Sequence, residues 1–236
     1  MSPTDAAALR PFSLKHSRVL RSADRLCSAP ASWWLVLMLG LLPLAGWIWR
    51  VFQDTLGPNP AEALLHGTGR WTLNLLWLVL AVTPLRRWLG LMGPMRWRRM
   101  LGLLTFFYAC LHLLAYAWLD MGLDVTAISR DLAKRPFAAL GFAAWLGLVP
   151  LAATSFNAAI RTLGGRRWKA LHRLVYPVAL LGLSHHAWML ASKHRVPEVA
   201  IEAALLALLL VARMPRARSE KSTIRLRTGN APPELR

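Results

Sequence analysis

The most constraining feature of the sequence is a series of six long apolar stretches separated by polar connections. Most of them approach the roughly 20 residues that a helix needs to cross a hydrocarbon core of about 30 Å. In lipid, the backbone must satisfy its hydrogen bonds inside a helix or a closed barrel, and these stretches lack the alternation of barrel strands. The sequence therefore predicts an all-α polytopic membrane protein, a bundle of six transmembrane helices. The stretches are residues 32–49, 66–85, 100–119, 136–154, 170–190 and 197–212.

The composition agrees with a membrane protein. Of the 236 residues 56% are hydrophobic and only 17% are charged, and the chain contains 12 Trp, a residue typical of membrane interfaces. The net charge of +18 would suggest nucleic-acid binding in a soluble protein. Here the basic residues lie between the apolar stretches, so membrane topology explains them and no nucleic-acid partner is predicted.

The distribution of these basic residues predicts the orientation. Arg and Lys concentrate in the segments 1–31, 86–99 and 155–169 and after residue 213, whereas the alternate connections carry few. The positive-inside rule then places both termini in the cytoplasm. The predicted organisation is a cytoplasmic basic tail (1–31), a six-helix transmembrane domain (32–212) and a second cytoplasmic basic tail (213–236).

Three histidines inside the apolar stretches are the candidate functional residues. Ionisable groups in membrane helices are costly, so they mark candidate sites, and imidazole is a common ligand of haem iron. His112 and His185 lie roughly 18 and 22 Å from the cytoplasmic ends of their helices, so they share a level and could ligate one haem. His172 precedes His185 by 13 residues, or roughly 20 Å, and could ligate a second haem or bind a quinone or flavin.

The sequence leaves alternatives open for these and other histidines. A histidine in a membrane helix often only forms a hydrogen bond with a neighbouring helix. His186 follows His185 and points about 100° around the helix, so either could be the ligand. His66, at the predicted outer mouth, suits either an interfacial residue or a cofactor contact, whereas no role is predicted for His16 and His194.

Further residues could surround a cofactor. Tyr108, His112 and Tyr116 recur on one helix face, although aromatic residues at this spacing often only pack. Basic residues at the predicted cytoplasmic face could hold haem propionates or a flavin phosphate, or could simply determine topology. They are Arg86, Arg98, Arg99, Arg166 and Arg167. Glycines that could allow close approach of a helix or a porphyrin are Gly102, Gly141, Gly147 and Gly182.

Two other functional classes compete with a cytochrome. A proton-coupled transporter could use the histidines as a relay, and such relays commonly include an intramembrane acid, for which Glu198 and Glu202 are the candidates. The other is a structural or assembly protein without a cofactor. The sequence has no C-x-x-C-H haem-attachment motif, G-x-G-x-x-G motif or P-loop, so a haem would be of the b type and a nucleotide-dependent donor would be a separate molecule.

Five motifs together resemble a known family. They are HGTGRW (66–71), TPLRR (83–87), RRMLGLLTFFYACLH (98–112), RPFAALG (135–141) and LHRLVY (171–176) followed by His185. The pattern resembles the MsrQ (YedZ) family, the haem-binding membrane subunits of the bacterial periplasmic methionine-sulfoxide reductase system, in the ferric-reductase-like transmembrane group. The resemblance extends over about residues 32–212.

The resemblance implies a six-helix b-type cytochrome of the bacterial inner membrane, with His112, His172 and His185 at the haem-ligand positions. It favours His185 over His186. It also implies electron transfer from the quinone pool to a periplasmic molybdopterin-containing reductase, the partner in a heterodimer, which repairs methionine sulfoxide in oxidised proteins. The chain would then be an electron-transfer subunit, and its donor a quinol or a separate flavin reductase. FMN is implied as a second cofactor by the resemblance alone.

Overall fold

The computed structural model of the protein describes residues 18–191 and 196–213, and in this part it contains helices and no strand. The predicted all-α class is confirmed. His16, His194 and nearly all of the predicted C-terminal tail lie outside the described residues. The α-helices are α1 (Arg18–Ser28), α2 (Pro30–Phe52), α3 (Pro60–Leu89), α4 (Arg98–Ala115), α5 (Val125–Lys134), α6 (Pro136–Ala153), α7 (Asn157–Leu171), α8 (Val175–Ala191) and α9 (Val196–Val211).

Four helical segments of the described chain are long and apolar enough to cross a membrane. They are Pro30–Phe52, Arg98–Asp120, Pro136–Ala153 and Asn157–Ala191. The other two predicted spans, α3 and α9, are outside this set. α9 has 16 described residues, and α3 has 30 residues, but Arg, Glu, Asn and Thr side chains along it lower its hydropathy.

Local sequence explains the bounds of several helices. Pro60 begins α3, where its missing N–H costs nothing, and the side chain of Asn59 accepts a hydrogen bond from the Glu62 N–H. Gly90 ends α3 with a φ of 73°, a left-handed conformation that glycine adopts without strain. The Asp124 carboxylate caps α5 by accepting hydrogen bonds from the N–H groups of Thr126 and Ala127.

The core of the bundle lies between α3, α4, α6, α8 and α9. Side chains from all five helices form one buried apolar cluster, and a second cluster joins α3 and α4 to α2. The two closest helix pairs are α3 with α4 and α6 with α8. Because α4 also contacts α6, the two pairs form a four-helix group, against which α9 and α2 pack.

Arg213 fastens the end of α9 to this group. Pro84 has no N–H, so the Leu80 carbonyl one turn earlier in α3 lacks its usual helical partner. The Arg213 guanidinium donates hydrogen bonds to the Leu80 oxygen from Nε and Nη2, at 3.0 and 2.6 Å. Its Nη1 donates to the Tyr176 hydroxyl of α8 at 3.2 Å. One side chain thereby links α9, α3 and α8.

Two segments that were predicted to be a tail and a connection contain helices. Helix α1 packs against the chain after α3, where the Asp24 carboxylate accepts hydrogen bonds from the Met92 and Gly93 N–H groups, both at 2.7 Å. Helix α7 has no buried residue and bends at Gly164, whose φ is 72°. Such short polar helices have no apolar stretch of spanning length, so hydropathy does not separate them from loops.

Candidate functional site

His112 and His185 face each other inside the four-helix group. The first is on α4 and the second on α8, and their ring centroids are 6.0 Å apart with an angle of 72° between the ring planes. Both side chains are half-buried. The structure therefore brings together the two histidines that the depth argument placed at one level.

Each of these imidazoles is oriented by a backbone carbonyl of the neighbouring helix. His112 Nδ1 lies 3.0 Å from the Leu65 oxygen of α3, and His185 Nδ1 lies 2.7 Å from the Phe137 oxygen of α6. A carbonyl only accepts hydrogen bonds, so a neutral imidazole in this position carries its proton on Nδ1. Nε2 of each ring then retains the lone pair with which histidine binds a metal.

A glycine one turn after each carbonyl makes room for the ring. Gly69 follows Leu65 by four residues, and Gly141 follows Phe137 by four. A Cβ at Gly69 would lie 3.0 Å from His112 Cε1, and a Cβ at Gly141 would lie 2.8 Å from His185 Nδ1. The two sites repeat one arrangement, because in each a ring from one helix rests on the bare backbone of its partner helix.

The neighbouring His186 points elsewhere. Its buried ring extends toward α9, where Nε2 lies 3.3 Å from Glu202 Oε1. The second carboxylate oxygen of Glu202 is buried and has no hydrogen-bond partner among the described residues. In this arrangement His185, and not His186, faces His112.

His172 lies apart from the His112–His185 pair, in a 3₁₀ turn between α7 and α8. Its Nδ1 is 3.1 Å from the Trp168 carbonyl oxygen, and its ring stacks on the Trp168 indole with centroids 3.9 Å apart. Arg98 and Arg99, at the start of α4, are close enough to act on it electrostatically. The side chain is half-buried, with positive charge on the side of α4.

The two candidate tyrosines form hydrogen bonds with other elements. Tyr108 is completely buried, and its hydroxyl donates to the Gly40 carbonyl of α2 at 2.7 Å. The hydroxyl of Tyr116 donates to the Asp131 carboxylate of α5 at 2.8 Å. Both hydroxyl groups are therefore engaged away from the space between the two histidines.

The remaining candidates are distributed over α3, α4 and α7. His66, in the first turns of α3, has Nδ1 3.7 Å from Glu62 Oε1. Arg99 donates from Nη1 to the Asn157 side-chain oxygen at 2.6 Å. Arg166 and Arg167 are exposed on α7.

Comparisons with known proteins identify the family. Residues 68–183 match the model of the ferric reductase like transmembrane component. A relative from Polaromonas naphthalenivorans, named protein-methionine-sulfoxide reductase heme-binding subunit MsrQ, is 54% identical over 181 residues, 77% of this chain and 83% of the relative. The chain belongs to the MsrQ family.

Two further MsrQ proteins extend this similarity. The one from Ralstonia nicotianae is 51% identical over 175 residues, 74% of this chain and 81% of its own. The one from Rhodospirillum rubrum is 46% identical over 215 residues, 91% of this chain and 97% of its own. No solved structure matches the chain significantly. The MsrQ resemblance predicted from the five motifs is confirmed.

The paired histidines of this MsrQ-family chain have a spacing that suits haem iron. With metal–imidazole bonds of about 2 Å and a ring radius of about 1 Å, two axial imidazoles on one iron have centroids about 6 Å apart. The observed separation is 6.0 Å. Two neutral nitrogen donors also match the axial positions that a porphyrin leaves open. The residues present therefore fit a b-type haem.

Proposed function

We propose that this protein is the haem-binding, electron-transfer membrane subunit of a protein-methionine-sulfoxide reductase. The observation that carries the proposal is the His112–His185 pair, with each Nδ1 directed to a backbone carbonyl and the ring centroids 6.0 Å apart. The names of its relatives, heme-binding subunits of protein-methionine-sulfoxide reductase, support the same function.

In this function the chain supplies the ligands of the haem iron and the apolar environment of the haem. Bound haem provides the one-electron chemistry of its iron. His112 and His185 would hold the haem iron through Nε2, and the Leu65 and Phe137 carbonyls would fix the orientation of the two rings and raise the basicity of Nε2. The apolar helices around them exclude water, which lowers the dielectric constant around the cofactor.

The membrane arrangement is part of the proposal. α3 and α9 join the four long apolar segments as the second and sixth spans of a domain over residues 32–212. The basic connections then put both termini, and the basic tails 1–31 and 213–236, in the cytoplasm of a bacterium whose inner membrane holds the protein. At 1.5 Å per residue, α3 is about 45 Å long, which is enough to cross the hydrocarbon core.

The electron route extends to both sides of the membrane. A quinol or a separate flavin reductase donates electrons, and a periplasmic molybdopterin-containing reductase subunit accepts them in a heterodimer. His172 lies toward the cytoplasmic side, where a second haem or a flavin would bridge the gap to the outer haem. Arg98 and Arg99 could bind its anionic groups. FMN rests on the family resemblance alone.

The test is the absorption spectrum of purified protein and of two matched variants. His112→Ala removes one axial ligand, so we expect the low-spin b-type signal of the bis-histidine haem to be lost. His186→Ala removes an adjacent membrane imidazole that points to Glu202, and we expect that signal to remain. Retention of the full signal in a stably inserted His112→Ala protein would contradict the ligand assignment.

A proton-coupled transporter is the alternative that one observation favours. The buried His186 and the half-buried Glu202 form a pair between α8 and α9, and ionisable pairs inside membranes are often proton relays. Membership of the MsrQ family supports the cytochrome instead. The same spectrum separates the two functions, since a transporter of this kind has no haem absorption.

A further inference from the structure

A long apolar groove opens on the outside of the bundle, between α2 and α3. Its cavity volume is about 670 Å³. The floor consists mainly of the small residues Gly40, Pro43 and Gly46 of α2, and Leu75 and Leu78 of α3 form the facing wall. It is distinct from the space between His112 and His185.

The small residues of α2 create this groove. A Cβ added at Gly46 would have no atom within 4 Å, so the chain leaves open space there. Leu39 and Leu42, on the rim, are 55% and 63% exposed. Open apolar space of this kind along a membrane helix can hold a hydrocarbon chain.

The groove is polar at one end only. It extends from Val36 to Arg50, 14 residues or about 21 Å along α2. This length is somewhat greater than the thickness of one leaflet, which is half of a hydrocarbon core about 30 Å thick. Arg50 is the only ionisable side chain among its lining residues. Its Nη2 donates to the Thr55 carbonyl at 2.9 Å, and its Nε and Nη1 have no hydrogen bond among the described residues.

We infer that this groove binds one phospholipid, with an acyl chain along α2 and the headgroup phosphate on Arg50. A guanidinium pairs well with a phosphate, and an apolar channel of leaflet length suits a single acyl chain. A quinol that is oxidised must release two protons, and among the described residues no carboxylate or imidazole lines the groove to accept them. The lining therefore favours a phospholipid over a quinol.

The bound lipid strengthens a contact next to the histidine pair. Trp47, at the Arg50 end of the groove, packs against Gly67 of α3, where a Cβ would lie 2.7 Å from the indole. Tyr108, one turn before His112, donates its hydrogen bond to Gly40 on the groove floor. α2 is otherwise weakly packed, since only Gly40 among its residues is buried. The lipid holds α2 against the helices that position His112.

The experiment measures the phospholipid that remains on the full-length haem-containing protein after purification in a mild detergent. Native mass spectrometry gives the lipid-to-protein ratio, and we expect about one phospholipid per wild-type chain to be retained in this groove. Gly46→Leu fills the floor and should remove it. Gly102→Leu is the matched control, because Gly102 also faces open space in a membrane helix but lies outside the groove.

Arg50→Gln tests the headgroup contact without changing the floor. One cationic contact near a lipid surface is worth about 1 kcal/mol, so retention should fall about fivefold. Adding phospholipid to delipidated protein should raise the Tm of the wild type and of Gly102→Leu, but not of Gly46→Leu. Equal retention in Gly46→Leu and wild type, the absence of a retained lipid in the wild type, or a retained quinone in place of a phospholipid would overturn the inference.

Discussion

Gly141→Ala is the sharpest test of how the bundle would hold the proposed haem between His112 and His185. The added methyl group would lie 2.8 Å from His185 Nδ1 and 3.0 Å from Cε1, whereas ordinary contacts at this position begin near 3.4 Å. The imidazole would therefore have to move by about 0.6 Å, the difference between 3.4 and 2.8 Å. Such a shift strains its hydrogen bond to the Phe137 carbonyl, which is 2.7 Å long.

Two effects of opposite sign decide how much the substitution changes the affinity for haem. Alanine is a better helix former than glycine by about 1 kcal/mol, so the substitution by itself stabilises α6. Overpacking of a tight site costs about 1–3 kcal/mol, and here the cost falls on the ring that we propose as an iron ligand. We therefore expect haem affinity to fall by about tenfold or more, while the helical content remains unchanged.

The assay is the haem-to-protein ratio during titration with haem, together with the absorption spectrum. Gly69→Ala should have a smaller effect, because its Cβ would approach His112 only to 3.0 Å. Gly102→Ala should have none, since no atom lies within 4 Å. If Gly141→Ala bound haem as tightly as Gly102→Ala, the proposed role of the glycine in seating the ligand would be wrong.

Three further predictions concern topology, the inner site and α9. Reporter fusions at Leu56 and at the C-terminus should report the periplasm and the cytoplasm, respectively, and the reverse result would overturn the depth argument. His172→Ala should keep the outer haem but lose a second cofactor or slow its reduction by a quinol; wild-type behaviour in both would leave His172 a packing residue. Arg213→Gln should lower stability by about 1–3 kcal/mol because the Leu80 carbonyl loses its partner, and a smaller loss is expected when Pro84→Ala restores the N–H. Thermal unfolding of the wild type, the two single variants and the double variant measures both losses. Equal losses from Arg213→Gln with and without Pro84→Ala would contradict that account.

Much of the fold could be predicted from hydropathy and histidine spacing. Long apolar segments specify helices in lipid, and the depth of His112 and His185 follows from helix rise and from the orientation of each segment. The structure agrees in bringing the centroids of these two rings to within 6.0 Å of each other. Sequence motifs also indicated the family, which the comparisons confirm.

The hydrogen-bond partners of the histidines could not be predicted in the same way. A backbone carbonyl has no sequence signature, and its availability to an imidazole depends on which helices are neighbours. Gly141 was a candidate for close approach, but so was Gly102, which faces open space. The signal available in hindsight is the glycine four residues after Leu65 and after Phe137, since each pair places a bare backbone beside the carbonyl that orients a ring.

The choice of His185 over His186 depended on tertiary structure for a similar reason. Adjacent residues on a helix differ by about 100° in direction, and only the positions of α4 and α9 decide which one meets His112. The His186–Glu202 contact settles the direction of the second ring in the structure. The sequence singled out Glu202 as a possible relay acid but did not pair it with His186.

The polar residues of α3 are compatible with a membrane-spanning helix. Its N-terminal half contains Thr68 and Thr72, which lower its hydropathy, but their hydroxyl groups donate to carbonyls within the helix, at 2.7 Å to Leu64 and 2.9 Å to Thr68. These residues therefore remain compatible with a membrane interior. The same turns supply the Leu65 carbonyl and Gly69, against which His112 rests. A more apolar α3 with large side chains near Leu65 and Gly69 would have the hydropathy of a typical span. Such side chains would, however, remove the space that the His112 ring occupies.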